Sequence, residues 1–472
     1  MTVWETVVGL EVHCELRTET KLFCSCPNRF GATPNTLVCP VCLGLPGSLP
    51  VLNERAVELA MRIGLALGCR VEPSVFHRKN YFYPDMPKDY QVSQYDEPIN
   101  VDGSLDLPDG SRVGVERAHI EEDTGKITHV GGGGRIHEAA HSLIDYNRAG
   151  VPLVEIVSAP DIRSAEQARV YVSELRAILV ATGASDGKME EGSLRVDANV
   201  SVRHDGSAEF GTRCEIKNLN SLRSLGRAIE HEAARQIDVL TEGGRIVQET
   251  RHWDEAAGVT RPGRAKEQSE DYRYFQEPDL VPVEPDDAWL TRVSAALPLL
   301  PRQRRDRLEA LAPAVAASDV ALVVELGLDD LVVAAVEAGG DARVAVNRAA
   351  NEVAAALDQA AGLDAGRFAR LVKMEADGQL TATQAKAVLS EMLGGGGDPE
   401  TIAKARGFEA ADADAVTALV DKAIAEHPAE FERLKSGQDK VIGFFVGQVM
   451  KASRGNADGG AVTQELRRRA GR

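Results

Sequence analysis

The chain has 472 residues, and its 54 Lys and Arg against 72 Asp and Glu give a formal net charge of −18. That length calls for more than one domain, and that charge excludes a general polyanion binder, so any contact with nucleic acid must use a local basic patch. No apolar run approaches the roughly 18 residues of a membrane span, and the first residues read as a strand rather than a leader; the expected setting is cytoplasmic, where seven cysteines point to metal or burial rather than to disulfides.

Taken in chain order, the first clear element is Leu10 to Leu16. Leu10, Val12, Cys14 and Leu16 fall on one side, and Glu11, His13 and Glu15 on the other. Such alternation predicts a strand with one packed and one wet face. Next come Cys24-x-Cys26, twelve residues, and Cys39-x-x-Cys42. Two close pairs offer four thiolates to one tetrahedral Zn²⁺, in a closed structural site that would pin the loop between the first strand and the first helix. Four incidental or merely buried cysteines are the alternative. Cys14, Cys69 and Cys214 sit in apolar patterns and read as core. Asn53 is placed to cap a helix over Glu54 to Leu67. The run from Arg78 to Lys88 holds two prolines and reads as a loop. Its Lys79, Lys88 and tyrosines suit a phosphate or a stacked base; a loop packed on the domain is the alternative.

Further on, His119 and Glu121 share a strand face, followed by Glu122 and Asp123. Gly131 to Gly134 lacks the lysine of a phosphate loop and reads as a hairpin tip. Glu155 interrupts the apolar run Leu153 to Val157, where a carboxylate is costly unless it meets a cation. Ser164 and Gln167 form a capping-box pattern for a helix over Ala165 to Thr182. Leu194 to Arg203 alternates again, with Arg195, Asp197, Asn199, Ser201 and Arg203 on the polar side; Arg213, Glu215 and Lys217 repeat the scheme. Several carboxylates and an imidazole on adjoining strands would make a hard-cation site, and Mg²⁺ takes carboxylates, water and substrate phosphates. Separate salt bridges on a solvated face are the alternative.

Beyond a proline-rich joint, Pro278 to Pro285, the composition turns to Ala, Leu and Val at helical spacing, and Gly394 to Pro399 marks a second joint. The predicted class is α+β: a mostly antiparallel sheet domain, 1–292, with a zinc-knuckle-like insertion at 24–42, then an all-α domain, 293–408, and a small helical tail, 409–472. From Arg433 to Arg472, nine basic side chains face three acids beside an apolar helix face of Val441, Phe444, Phe445, Val449 and Met450. That patch suits a phosphate backbone; a solvated helix end is the alternative. There is no G-x-x-x-x-G-K-[ST] loop, no G-x-G-x-x-G and no G-x-S-x-G elbow. Any use of ATP would do without a Walker loop, and the chain shows no nucleophile for releasing ammonia from an amide.

Several long motifs, in order, carry a family resemblance. They are Glu5 to His13, Arg78 to Asp85, Met189 to Asn199, Glu215-Ile216-Lys217-Asn218-Leu219-Asn220-Ser221, Asp271-Tyr272-Arg273-Tyr274-Phe275, and Gly443 to Lys451. Over nearly its whole length the chain resembles the GatB family, the B component of the aspartyl/glutamyl-tRNA amidotransferase. The resemblance implies a cradle-like α+β catalytic domain, a helical domain and a YqeY-like tail that reads the tRNA elbow by shape. It implies a ligase acting within a heterotrimer, beside an amidase (GatA) and a small protein (GatC) that ties the two together. The substrate implied is misacylated Glu-tRNA(Gln) or Asp-tRNA(Asn), with ATP and Mg²⁺ as cofactors. ATP phosphorylates the side-chain carboxylate, and channelled ammonia displaces the phosphate. The metal positions implied are Glu11, His13, Glu121 or Glu122, and Glu155, with alternation favouring Glu121. Lys79, Lys88, Arg195 and Lys217 are the candidate phosphate contacts. Zinc on Cys24, Cys26, Cys39 and Cys42 is compatible with this chemistry without being required by it, since the four cysteines occur in some family members only. The segment with Gly131 to Gly134, Arg135, His137 and His141 departs from the family by its length and reads as a hairpin insertion. A non-catalytic RNA-binding scaffold and a free-standing ATP-dependent amide ligase are the competing functional classes.

Overall fold

The computed structural model describes residues 3–131, 139–263, 272–360, 362–408, 413–453, 457 and 459–471. Contacts divide the chain into two units, Met1–Leu300 and Pro301–Arg472.

The first unit runs β1 (Trp4–Glu15), α1 (Glu54–Ala66), β2 (Arg70–Val71), β3 (Val75–Asn80), β4 (Tyr90–Glu97), β5 (Asn100–Asp106), β6 (Arg112–Glu122), β7 (Lys126–Val130), β8 (His141–Asp145), β9 (Pro152–Ser158), α2 (Ala165–Ala181), β10 (Leu194–His204), β11 (Cys214–Leu219), α3 (Leu222–Thr241), β12 (Thr250–Asp254), β13 (Val259–Pro262), β14 (Phe275–Gln276) and α4 (Asp287–Ala295). Among the described residues, twelve of these strands form one sheet. Its main path is β13-β12-β11-β10-β1-β9-β6-β4-β3-β14, with β5 on β6 and β2 on β5. The pairs are antiparallel except β11 with β12, so the class is α+β. β7 and β8 form a separate hairpin. Its expected tip, beyond Gly131, lies outside the described residues together with Arg135 and His137, whereas His141 opens β8.

Alternation explains the sheet. Leu10, Val12 and Cys14 of β1, Val196, Ala198 and Val200 of β10, and Val154 and Ile156 of β9 are buried in one core with residues of α1, α2 and α3. Full burial of each Leu, Ile or Val side chain contributes about 1.5–3 kcal/mol relative to exposure. The polar side chains of the central strands lie on the opposite face, where Glu11, His13, Glu155 and Asp197 are half-buried and His119, Glu121 and Glu215 are buried. Local signals fix where the helices start. The Asn53 side chain accepts the Arg55 N–H at 3.0 Å, and its amide reaches the Lys21 carbonyl at 3.3 Å, tying α1 to the cysteine loop. Ser164 accepts the Gln167 N–H at 3.1 Å, and the Gln167 side chain accepts the Arg163 N–H.

One expectation needs correction. Arg78 to Asn80 do not belong to the loop: they end β3, paired with β4, and the loop begins at Tyr81. The expected boundary at 292/293 falls inside α4, whose Val293 joins the sheet domain's core; contacts divide at 300/301. In the second unit, helices from Pro301 to Ala405 enclose a core that includes Val320, Val332, Phe368, Val372 and Leu389. Helices from Ala413 to Arg469 enclose another around Val420, Phe431, Phe445, Val449 and Leu466. Among the described residues no helix is long and apolar enough to cross a membrane.

Candidate active site

Strand order decides what the polar residues can do. β1 lies between β9 and β10, so His13 stands opposite Glu155 on one side and Arg195 on the other, while Glu11 stands opposite Asp197. Across β9, Glu155 stands opposite His119. Neighbouring pairs on one face of a sheet bring side chains within reach. His13 Nε2 and His119 Nε2 each lie 3.7 Å from Glu155 Oε2, and His119 Nε2 lies 3.8 Å from Glu121 Oε2. Donor atoms of His13, Glu121 and Glu155 all fall within 4.8 Å of one another. His119 is fully buried, and among the described residues neither ring nitrogen has a hydrogen-bond partner. Burial works against the Glu121 carboxylate, but the imidazoles of His119 and His13 and the Lys79 ammonium hold its pKa below the usual carboxylate range, at about 2.

A second cluster adjoins the first. Ligand atoms of Glu11, Asp197 and Glu215 lie within 4.8 Å of one another. Asn199 donates to Glu11 at 2.9 Å; Lys217 Nζ lies 2.6 Å from Asp197 and 3.2 Å from Glu215. Burial raises the Glu11 carboxyl, and the charges of Glu155, Glu215 and Asp197 raise it further. Three carboxylates gathered around the single Lys217 ammonium leave room for further positive charge. The donor set fits a divalent cation: carboxylate oxygens suit Mg²⁺, and an unpartnered buried imidazole next to them is a group without a satisfied role in the apoprotein. Toward the end of the same face, burial and the Asp123 charge push the Glu15 carboxyl up to about 8, while Arg195, 2.7 Å from Asp123, and Arg148 hold Asp123 ionised against its own burial.

The structure thus brings His13, Glu121 and Glu155 together and sets Glu11 in the adjoining cluster. Glu122 points away from both. Its carboxylate takes the Lys88 ammonium and the Val92 N–H, and both side chains of the pair are buried. Lys88 is therefore not a free phosphate contact: the loop at Gly44 lies against it, where a Cβ would fall 2.3 Å from Lys88 Cγ. Arg195 stays on the polar face but is engaged by Asp123, and Lys217 belongs to the Glu11 cluster. Lys79 lies 4.7 Å above the Tyr272 ring. Sequence reasoning did not select Asp197, Glu215 or Asn199 as site residues. Alternation showed their side of the strand, and only the adjacency of β1, β10 and β11 shows their company. It also missed an aromatic wall: Tyr95 stacks on Tyr274 at 5.4 Å, meets His119 edge-on at 6.1 Å and carries the Arg117 guanidinium at 4.7 Å.

Away from this face, ligand sulfurs of Cys24, Cys26, Cys39 and Cys42 lie within 4.8 Å of one another, a donor set that could hold zinc. The Cys24 thiol, the Cys39 N–H and the Lys21 ammonium draw Cys42 toward the thiolate, against its burial. Cys14, Cys69 and Cys214 are free and buried.

The family model of the GatB/GatE catalytic domain matches residues 6–291, and a GatB domain model matches residues 330–469. The chain is 51 % identical to the B component of the aspartyl/glutamyl-tRNA(Asn/Gln) amidotransferase of Nocardia farcinica, over 98 % of this chain and 95 % of that one. It belongs to the GatB family. Relatives of the same description from Thermobifida fusca, 48 % identical over 99 % of this chain and 94 % of theirs, and from Carboxydothermus hydrogenoformans, 47 % identical over 99 % of each, extend the match. Both carboxylate clusters and the tetracysteine cluster lie inside the part matched to the GatB/GatE catalytic domain, and the basic C-terminal segment lies almost wholly inside the second match.

Proposed function

We propose that this chain is the kinase and transamidase component of a tRNA-dependent, glutamine-hydrolysing carbon–nitrogen ligase. Its substrates are ATP and the side-chain carboxylate of Glu-tRNA(Gln) or Asp-tRNA(Asn), and its partners in a heterotrimer are an amidase (GatA) and a small linking protein (GatC). The observation that carries the reading is the convergence of His13, Glu121 and Glu155 with Glu11, Asp197 and Glu215 on one sheet face, in a chain whose relatives are named as the B component of such an amidotransferase.

The chemistry has two steps. A carboxylate oxygen of the substrate attacks the γ-phosphorus of ATP, releasing ADP and leaving an acyl phosphate. Ammonia then attacks the acyl carbon; inorganic phosphate leaves and the amide loses one proton. Both steps gather negative charge, which cationic groups must offset. Glu121, Glu155 and His13 would hold one Mg²⁺, and Glu11, Asp197 and Glu215 suit a second divalent ion. When bound, such ions neutralise phosphate oxygens. His119, buried 3.7 Å from Glu155 and 3.8 Å from Glu121, is placed to orient both carboxylates once the site is loaded. Lys79 and Arg117 beside the first cluster and Lys217 within the second supply fixed positive charge. The Tyr95–Tyr274 wall offers a face on which a base can stack. Arg195 is held by Asp123 and acts in this reading as a positioning residue.

The basic tail supplies the RNA contact, with fewer free charges than its composition suggested. Arg469 pairs with Asp421 and Glu465, Arg468 with Glu465, and Lys435 with Glu432. Arg454 and Arg472 lie outside the described residues. Arg433, which donates to the Gln438 side chain, and Lys440, Lys451 and Arg467 remain as exposed cations without an ion pair among the described residues, and suit phosphate contacts. The test is Glu155→Ala in the assembled complex. Transamidation driven by ammonium should be lost while tRNA binding is retained; turnover near the wild-type rate would favour a scaffold instead.

A further inference from the structure

Lys21 is fully buried, yet among the described residues no carboxylate lies within 4.0 Å of its ammonium. Nζ donates to Cys42 Sγ at 3.7 Å and to the Tyr146 carbonyl at 3.3 Å. A buried ammonium whose hydrogen-bond partners are one cysteine sulfur and one carbonyl is a costly arrangement, because a single sulfur at 3.7 Å, even drawn toward the thiolate, repays little of the lost hydration of the charge. The arrangement becomes favourable when the neighbouring sulfurs are anionic. Four thiolates around one Zn²⁺ carry a net charge of −2, and a lysine against one of them reduces the buried excess to −1.

We propose that Lys21 is the charge partner of a zinc tetrathiolate on Cys24, Cys26, Cys39 and Cys42, and that it links this site to the loop leading into β9. The proposal rests on the zinc reading of the cysteine cluster, not on the amidotransferase reading. The link is geometric. From one nitrogen Lys21 holds the sulfur of Cys42 and the carbonyl of Tyr146. Leu22, next in sequence, donates its N–H to the Gly150 carbonyl at 2.9 Å, and the Gly150 N–H returns to the Asp123 carbonyl. At Gly150, with φ +82°, an added Cβ would lie 3.5 Å from Cys42 Cβ and 3.7 Å from the Lys21 stem. The cysteine loop therefore packs directly on the segment that delivers Val151 and, beyond it, Glu155. Outer partners of metal ligands set ligand orientation and basicity in the same manner.

The experiment compares Lys21→Met and Lys21→Arg with the wild-type full chain, each zinc-loaded and zinc-stripped. Zinc content is read by elemental mass spectrometry, affinity by competition with a chromophoric chelator, and stability by thermal melting. Transamidation by the assembled complex is followed in parallel. The wild type should carry one zinc per chain. Lys21→Met should weaken zinc about 10- to 100-fold, and Lys21→Arg, which keeps the charge, should stay much closer to wild type. The melting data carry the sharper prediction. Zinc-loaded Lys21→Met should melt below zinc-loaded wild type, whereas the stripped forms should reverse or lose that order, since methionine removes an unpaired buried charge. Equal falls in both forms, with zinc affinity within twofold of wild type, would reduce Lys21 to a packing stem and overturn the proposal. If Lys21→Met does not fold, Lys21→Arg still decides: zinc affinity as weak as in a Cys42→Ser protein overturns the charge role. A wild type that takes up no zinc overturns the proposal at its root, while intact transamidation in that sample leaves the amidotransferase reading standing.

Discussion

Glu121 and Glu122 are neighbours in β6 with opposite assignments, and that contrast can be measured. Glu122 takes the Lys88 ammonium and the Val92 N–H at 2.9 Å, and the side chains of Glu122 and Lys88 are only 3 % and 8 % exposed. Changing Glu122 to Ala leaves a buried ammonium and a buried N–H without their acceptor. Breaking a buried pair from one side costs about 3–5 kcal/mol. For a unit of this size, with an unfolding entropy of about 2.1 cal/mol/K per residue, that is a fall in melting temperature of roughly 5–8 °C. The double change Glu122→Leu with Lys88→Met should recover most of the loss, leaving about 1–3 kcal/mol for the unsatisfied Val92 N–H. Glu121→Gln touches none of these partners. It should abolish ammonium-driven transamidation, by at least about 100-fold as for loss of one transition-state charge contact, in protein that still binds tRNA. Melting curves and single-turnover rates on the two single variants make the comparison. The reasoning is refuted if Glu122→Ala melts within about 1 kcal/mol of wild type and loses turnover, while Glu121→Gln keeps it.

Three further outcomes follow from the same geometry. The raised Glu11 carboxyl means that its ionised form is worse placed in the fold than in the unfolded chain. Glu11→Gln should therefore melt no lower than wild type without divalent ions, yet lose the stabilisation that Mg²⁺ gives the wild type, about 2.7 kcal/mol at 100 times Kd; a Mg²⁺-induced rise equal to that of wild type would contradict this. Glu15 is raised from its ordinary 4.5 to about 8, so between those pH values the folded chain retains a proton that the unfolded chain has released. Its contribution is present below about pH 4.5 and is lost as pH rises through about 8; in denaturant melts, Glu15→Gln should flatten that slope. In the tail, Lys451→Glu with Arg467→Glu should weaken tRNA binding and reduce the salt dependence by about two phosphate contacts, whereas Arg469→Ala should destabilise the tail through Asp421 and Glu465.

Much of the site could be read from alternation. The polar side of β1, the pairing of His119 with Glu121, and the anomaly of Glu155 in an apolar strand all come from a period of two, which the pleat enforces. Helix starts at Asn53 and Ser164 are local chemistry and were equally visible. Adjacency was not. That β1 sits between β9 and β10 is a non-local fact, and Asp197 and Glu215 became site residues only through it. Lys88 was misread for the same reason: its position beside tyrosines suggested an exposed cation, but Glu122 approaches from 34 residues away and buries it. The aromatic wall of Tyr95 and Tyr274 joins segments that no periodicity connects. The tail's charge was overread because a window that starts at Arg433 leaves out Asp421 and Glu432, which pair with Arg469 and Lys435.

The most direct measurement follows an oxygen atom. Glu-tRNA(Gln) labelled with ¹⁸O in the side-chain carboxylate is given to the assembled complex with ATP, Mg²⁺ and ammonium, and the inorganic phosphate is analysed by mass. Activation by phosphorylation on this sheet face predicts one ¹⁸O in each phosphate formed with Gln-tRNA(Gln). It also predicts no labelled phosphate from Glu155→Gln protein that still binds the tRNA. Amide formed with unlabelled phosphate, or labelled phosphate persisting in the Glu155→Gln protein, would contradict the account.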